Sequence, residues 1–434
     1  MDKMADVLGR AGAWCGQNKY LSAIKNAFQN FMPLTIAGAI GVLWCNVLVN
    51  DQTGLGLFFK PIMALDFLNP AFQAVNFCTI SCITVGITLG IAQEIGVWNM
   101  GAERAGYIPG LVGLAAWLSV TNTSHMVDGA KEAFTGIAGN ELGATGLFTG
   151  MIIGVLSVEL FCFFEKQDAL KIKMPEQVPP GVARAFEVLV PATITLIITA
   201  CIGSACYNLT GLYLNDVIKN GIQGPLGAVG ATIPGVMIIY LVIMLFWLVG
   251  IHGNNMLSAV KEALFTPLAL ENVEAFNKGE TPKNIINMYF LQMCGEFGGS
   301  GVTIGLVIAI MIFGKREDNK AIATLSLVPG LFNINETVTF GIPMVLNPIL
   351  GIPFVVAPLI TIIIGYVLTV IGFCPVACLT VPWTTPPIVF GFLACGANVM
   401  GAVTQAILIV VSTVIYTPFL IAYEKYQNKQ AAEV

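Results

Sequence analysis

Charge is what this sequence has least of. Asp, Glu, Lys and Arg make up 10% of its 434 residues, against roughly 25% in an ordinary soluble domain. With 56% hydrophobic residues and a mean hydropathy of +0.81, the chain cannot cover a water-facing surface, which excludes a soluble globular protein. Histidine is nearly absent: His125 and His252 are the two in the chain. There is no HExxH and no serine–histidine motif, so metalloprotease and serine-hydrolase chemistry have nothing to act with. The eleven cysteines sit mostly in apolar runs such as CTISC and CPVAC. Without partner ligands they read as small hydrophobes, and neither a metal site nor a cofactor is expected. Basic runs and aromatic–basic interleaving are missing, which excludes a nucleic-acid partner. A secretory signal is missing too. The first 28 residues, with Lys3, Arg10, Lys19 and Lys25, read as an amphipathic helix on the cytosolic membrane surface.

What the chain does have is long apolar runs. Windows near 20 residues can cross a bilayer, and they fall at 29–49, 71–92, 106–120, 144–164, 186–208, 226–250, 287–313, 350–373 and 399–423. The stretches 253–276, 325–348 and 380–396 are shorter or interrupted and carry polar residues. The expectation is an all-α polytopic membrane protein with about ten transmembrane helices, re-entrant hairpins and surface amphipathic helices. Lys and Arg crowd the N-terminal arm, loop 166–184 and residues 314–320, whereas loops 50–70, 121–142 and 209–223 carry one each. That asymmetry puts both termini in the cytoplasm. Past the sixth span the count fails. Either residues 253–285 cross or dip back, or 287–313 is broken at GEFGGSG, and a discontinuous element is the reading favoured.

The two halves differ in kind. Residues 1–223 read as plain spans, about five of them, a scaffold domain; residues 224–434 concentrate polar and helix-breaking residues, a substrate domain. Four stretches stand out in the second half: GIHGNN, GEFGGSG, the segment FNINETVTFGIPMVLNP and VPWTTPP. Prolines 343, 348, 353 and 358 recur every fifth residue, a pattern that one continuous helix does not tolerate. Ionisable residues at membrane depth are expensive and mark function by default, and broken helices with polar breaks are how transporter sites are built. His252, Ser300, Asn333, Asn335, Glu336 and Trp383 are therefore candidate ligand contacts, with Glu336 and His252 the candidates for chemistry. Three of them have a plainer use as well. His252 can cap a helix end, Ser300 can permit close helix packing, and Trp383 can be an interfacial anchor. Together they offer neutral hydrogen bonders, one carboxylate, one imidazole and one aromatic plate. That set suits a polyhydroxylated, uncharged ligand, since an anion would call for Lys or Arg.

These residues resemble the sugar-translocating enzyme IIC of the bacterial phosphotransferase system, in its lactose, cellobiose and diacetylchitobiose branch. The resemblance runs through AIKNAFQNFMPLTIAGA, ARAFEVLVPA, FWLVGIHG, FGGSGVTIGL, NINE with GIPMVLNP, and VPWTTPP, in that order. It implies a homodimer in the bacterial inner membrane, joined through the N-terminal domain. It further implies that the C-terminal domain carries a β-linked disaccharide across by an elevator-like movement, and that a phosphocysteine on a separate IIB subunit phosphorylates the sugar. The sugar-contacting histidine and glutamate fall on His252 and Glu336, and further contacts on Ser300, Asn333, Asn335 and Trp383. One departure is Thr337, where proline is usual after the glutamate. The rival reading is an ion-coupled sugar symporter, with Glu336 carrying a proton.

Overall fold

The computed structural model describes residues 14, 17–51, 55–125, 134–175, 177–342, 344 and 347–432. Most of the N-terminal arm, with Lys3 and Arg10, lies outside these residues, as do Lys131 and Pro343. The chain is 77% helical, and the one sheet among the described residues is a two-stranded ladder pairing Ser124 with Thr135 and His125 with Phe134. Among the described residues five helices are long and apolar enough to cross a membrane, or up to seven when each of two bent pairs counts as one span. Contacts divide the chain into two compact units, residues 17–38 with 74–227, and residues 39–73 with 228–434.

In the smaller unit the helices Ile83–Met100, Ile108–Val120, Ala144–Glu165 and Pro180–Thr210 enclose Trp117, Phe161, Ile87 and Ile91, all fully buried. Small residues let the backbones approach, as membrane helices require. A Cβ on Gly113 would lie 2.3 Å from that of Ala92. The window 71–92 is out of register with the helix that forms. A π-helical turn at Phe77–Ser81 breaks the run at Cys82, and the helix proper is Ile83–Met100. Residues 19–28, expected on the surface, instead open the long helix Lys19–Leu43. Glu165, 3% exposed, is bracketed by Arg104 at 2.9 Å and Arg184 at 3.0 Å, so the carboxylate at the end of the helix Ala144–Glu165 is paired.

The larger unit is built around interruptions. The stretch 287–313 is the broken one: the helix Met288–Gly295 stops at Glu296, and Ile304–Phe313 is bent by 59° from the segment Met288–Val302 before it. Between them Gly298, Gly299 and Gly301 take φ of +70°, +89° and +78°, left-handed values that glycine adopts without a Cβ penalty. The preceding segment, by contrast, is a continuous helix, Ser258–Asn277. The proline series breaks the chain as expected between Glu336–Gly341 and Gly351–Val370. The second helix nonetheless runs through Pro353, in its first turn where no N–H is needed, and through Pro358.

An irregular backbone at membrane depth must find its hydrogen bonds inside the protein. The 34-residue helix Val399–Ala432 supplies them. Tyr416 donates to the Gly301 carbonyl at 2.8 Å and Ser412 to that of Val302 at 2.8 Å, while Thr303 closes on Gly298 O at 2.7 Å. Gln405, 1% exposed, accepts from Ile388 N and Gly391 N at 2.7 Å each and donates to Met293 O at 3.1 Å. It thereby holds Ile388, a β-branched residue at φ +76°, a conformation such residues adopt only when their surroundings impose it. Near the chain's end buried Glu424 accepts from Lys315 N at 2.9 Å and Asn319 Nδ2 at 3.1 Å, capping Glu317–Leu331. The Tyr416→Phe variant leaves a buried carbonyl unmatched and should lower unfolding stability in detergent by about 1–3 kcal/mol. A thermal or denaturant melt checks it, and an unchanged midpoint would show that the break does not depend on that hydroxyl.

Candidate functional site

The site assembles from four of these interruptions, all within the larger unit. Behind the helix Ile233–Leu248 the chain turns at Gly250, φ +81°, and His252 caps the short helix Gly253–Met256. Its Nδ1 accepts from Asn255 N at 3.2 Å. In the neutral ring the proton is therefore on Nε2, which faces Glu336 Oε1 at 3.8 Å. That separation is too long for a direct hydrogen bond, but a single hydroxyl can accept from Nε2–H and donate to the carboxylate. Trp247, buried, packs its ring 4.4 Å from the imidazole and is itself set edge-on by Phe354 at 6.2 Å. The histidine is thus a cap and a site residue at once. Glu336, which opens the helix Glu336–Gly341, remains about half exposed at 48%.

The asparagines on either side of Ile334 are spoken for. Asn333 sits at φ +62°, which Asn tolerates better than most residues. Its Oδ1 accepts from Gly298 N at 2.6 Å, and its Nδ2 donates to Trp383 O at 2.5 Å and Thr385 O at 3.0 Å. Asn335, 3% exposed, donates to Ser300 O at 2.8 Å and Thr339 Oγ1 at 3.2 Å. A Cβ on Gly299 would come within 2.6 Å of the Asn335 side chain, so only glycine lets the turn close on it. Three segments that the sequence flags separately are therefore knotted together: the GGSG turn, the NINE segment and the VPWTTPP loop. His252 and Glu336 face each other across 3.8 Å. Trp383 joins through its backbone, and the residue is 43% exposed.

Sequence reasoning did not single out Asn254, Lys261, Glu296 or Tyr240. Asn254 Nδ2 donates to Ser300 Oγ at 2.9 Å, and its Oδ1 accepts from Lys261 Nζ at 3.3 Å. Lys261, 6% exposed, is ion-paired with Glu296, which also accepts from Tyr240 OH at 2.8 Å. The signal was a lysine and a glutamate inside largely apolar stretches, masked by the ordinary look of VKEAL. Among the described residues no cluster of His, Cys, Asp and Glu suits a metal ion.

A polar, partly exposed site on broken helices narrows the chain's relationships, and comparison with known proteins decides them. The family model described as "Phosphotransferase system, EIIC" matches residues 25–358. The chain belongs to the phosphotransferase system EIIC family. It is 33% identical to the oligo-beta-mannoside-specific EIIC component of Bacillus subtilis (strain 168), over 98% of this chain and 94% of that one. It is 30% identical to the cellobiose-specific EIIC component of Lactococcus lactis subsp. lactis (strain IL1403), over 98% of each. Among solved structures it matches the transporter ChbC, the IIC component from the N,N'-diacetylchitobiose-specific phosphotransferase system, with a TM-score of 0.88 and 29% identity over 97% of both chains. This EIIC chain is a multi-pass membrane protein, and its site residues stand on the discontinuous elements of a fold shared with ChbC.

Proposed function

We propose that the chain is the sugar-translocating subunit of a phosphoenolpyruvate-dependent phosphotransferase system for a β-linked disaccharide of the cellobiose, diacetylchitobiose or lactose type. The observation that carries this reading is the pairing of His252 and Glu336 across 3.8 Å, on broken elements, in a chain of the EIIC family. A donor ring nitrogen opposite an accepting carboxylate fits a hydroxyl, and charge-assisted bonds are about twice as strong as neutral ones. Trp383, about half exposed, offers an aromatic plate for a sugar face. In this reading the segments tied by Asn333 and Asn335 move as one body in an elevator-like step, carried on residues 224–434, while residues 1–223 form the scaffold of a homodimer.

On the cytoplasmic side a phosphocysteine of a separate IIB subunit meets the bound sugar. The sugar hydroxyl oxygen attacks phosphorus, the O–P bond forms, the S–P bond breaks and the thiolate leaves. Glu336 takes the hydroxyl proton, and His252 holds the ring. The membrane is the bacterial inner membrane with both termini cytoplasmic. A cysteine replacing Lys173 should therefore label only from the cytoplasmic side and one replacing Lys131 only from outside. The reverse labelling would overturn the orientation. Titration calorimetry of the purified protein with cellobiose, diacetylchitobiose and lactose tests the ligand class. At least one should bind, and His252→Ala and Glu336→Ala should each abolish binding; failure of all three sugars would sink the reading.

A further inference from the structure

We propose that Lys261, through Asn254, sets the polarity of Ser300 so that the Ser300 hydroxyl presents its proton to an acceptor oxygen of the bound sugar. This rests on the sugar-permease reading above. The geometry runs in one direction. An ammonium group donates and cannot accept, so the Asn254 atom facing Lys261 Nζ at 3.3 Å is the carbonyl oxygen, and the atom 2.9 Å from Ser300 Oγ is the amide nitrogen. Ser300 Oγ therefore accepts from Asn254, and its own proton points elsewhere. Among the described residues Ser300 donates to no protein acceptor; Asn335 occupies its carbonyl, not its hydroxyl. Ser300 is 4% exposed, and a buried donor left unmatched is unfavourable. A ligand oxygen is what completes it.

Lys261 is suited to this and to little else. It is buried and neutralised by the Glu296 carboxylate, which the Tyr240 hydroxyl in turn holds by donating to it at 2.8 Å. A buried ion pair is a weak source of stability, since a well-packed apolar pair often serves as well. As a device for orienting one amide it does what an apolar pair cannot. The consequence is a site of two polarities. At Glu336 the sugar must offer a hydroxyl proton, whereas at Ser300 it must offer a lone pair, from a ring, glycosidic, hydroxyl or acetamido oxygen. Lys261, Glu296 and Asn254 are positioning residues in this scheme, and Ser300 is the contact.

Asn254→Asp tests it, because the shape is kept but the atom facing Ser300 becomes an acceptor, which turns the serine proton inward. Titration calorimetry with whichever of cellobiose, diacetylchitobiose or lactose binds wild type should show affinity falling about tenfold to a hundredfold. Ser300→Ala should fall alike, and Asn254→Asp with Ser300→Ala should be no weaker than either alone. Should Asn254→Asp not fold, Lys261→Met with Glu296→Gln removes both charges together and leaves none uncompensated. The same drop is expected, and it should vanish in the Ser300→Ala background. A folded variant with wild-type affinity, or losses that add to that of Ser300→Ala, would overturn the inference while leaving the permease reading intact. Wild type binding none of the three sugars overturns that reading instead.

Discussion

Glu336→Gln is expected to keep part of the sugar binding and to abolish sugar phosphorylation. A sugar leaving water loses the partners of its hydroxyls, and each one left unmatched costs roughly 1–3 kcal/mol. Glu336, about half exposed and 3.8 Å from His252 Nε2, meets such a hydroxyl as acceptor. Glutamine preserves the shape and still accepts through one oxygen, so binding should weaken by roughly 1–3 kcal/mol. It cannot take a proton, so phosphoryl transfer from IIB should stop, a general base being worth typically about 10²–10⁴ in rate. Glu336→Ala should lose both. Binding and single-turnover phosphorylation, measured on the same folded preparation, separate the two effects. Phosphorylation by Glu336→Gln at the wild-type rate would remove the carboxylate from the chemistry.

The second large effect is expected at Asn333. Its side chain makes three hydrogen bonds, to Gly298 N, Trp383 O and Thr385 O, and each ties a different backbone atom of the site. Asn333→Ala leaves those groups unmatched and places alanine at φ +62°. Because the Trp383 and Thr385 carbonyls are partly exposed and can turn to water, the loss is expected to stay at about 2–4 kcal/mol, taken as stability and as sugar affinity together. Two further variants divide the effect. Asn333→Gly accepts the backbone geometry, so what it loses belongs to the side chain alone. Asn333→Asp can still accept from Gly298 N but faces the carbonyls of Trp383 and Thr385 with a second acceptor, and should bind sugar no better than Asn333→Ala. An Asn333→Asp protein with wild-type affinity would mean that the Trp383 loop is held by something else.

Asn333 also marks where the sequence is legible and where it is not. NINE, GGSG and VPWTTPP stand out because polar and helix-breaking residues at membrane depth need a reason, and the structure brings all three to one place. What each side chain does there depends on neighbours that are distant in sequence. Asn333, expected as a sugar contact, also has a structural part that its sequence does not announce: its amide ties Gly298 to the Trp383 loop. Lys261 and Glu296, 35 residues apart, read singly as ordinary charges and gain meaning only as a pair. The break at Cys82 was illegible for another reason, because a hydropathy window records how apolar a run is and not where its helix changes pitch. The grouping of residues 39–73 with 228–434 depends on long-range contacts, such as Asn46 Nδ2 donating to Asn277 Oδ1 at 2.9 Å, which no local pattern announces.

The most direct measurement is uptake of radiolabelled cellobiose or diacetylchitobiose into sealed inside-out-free vesicles holding the chain, with IIB, IIA, the general phosphotransferase proteins and phosphoenolpyruvate enclosed, and the identity of the sugar recovered from the lumen. The account predicts that the label accumulates as sugar phosphate, that it requires phosphoenolpyruvate and that a protonophore leaves it unchanged. Accumulation of the free sugar, abolished by the protonophore and indifferent to phosphoenolpyruvate, would contradict it and make Glu336 the proton carrier of a symporter.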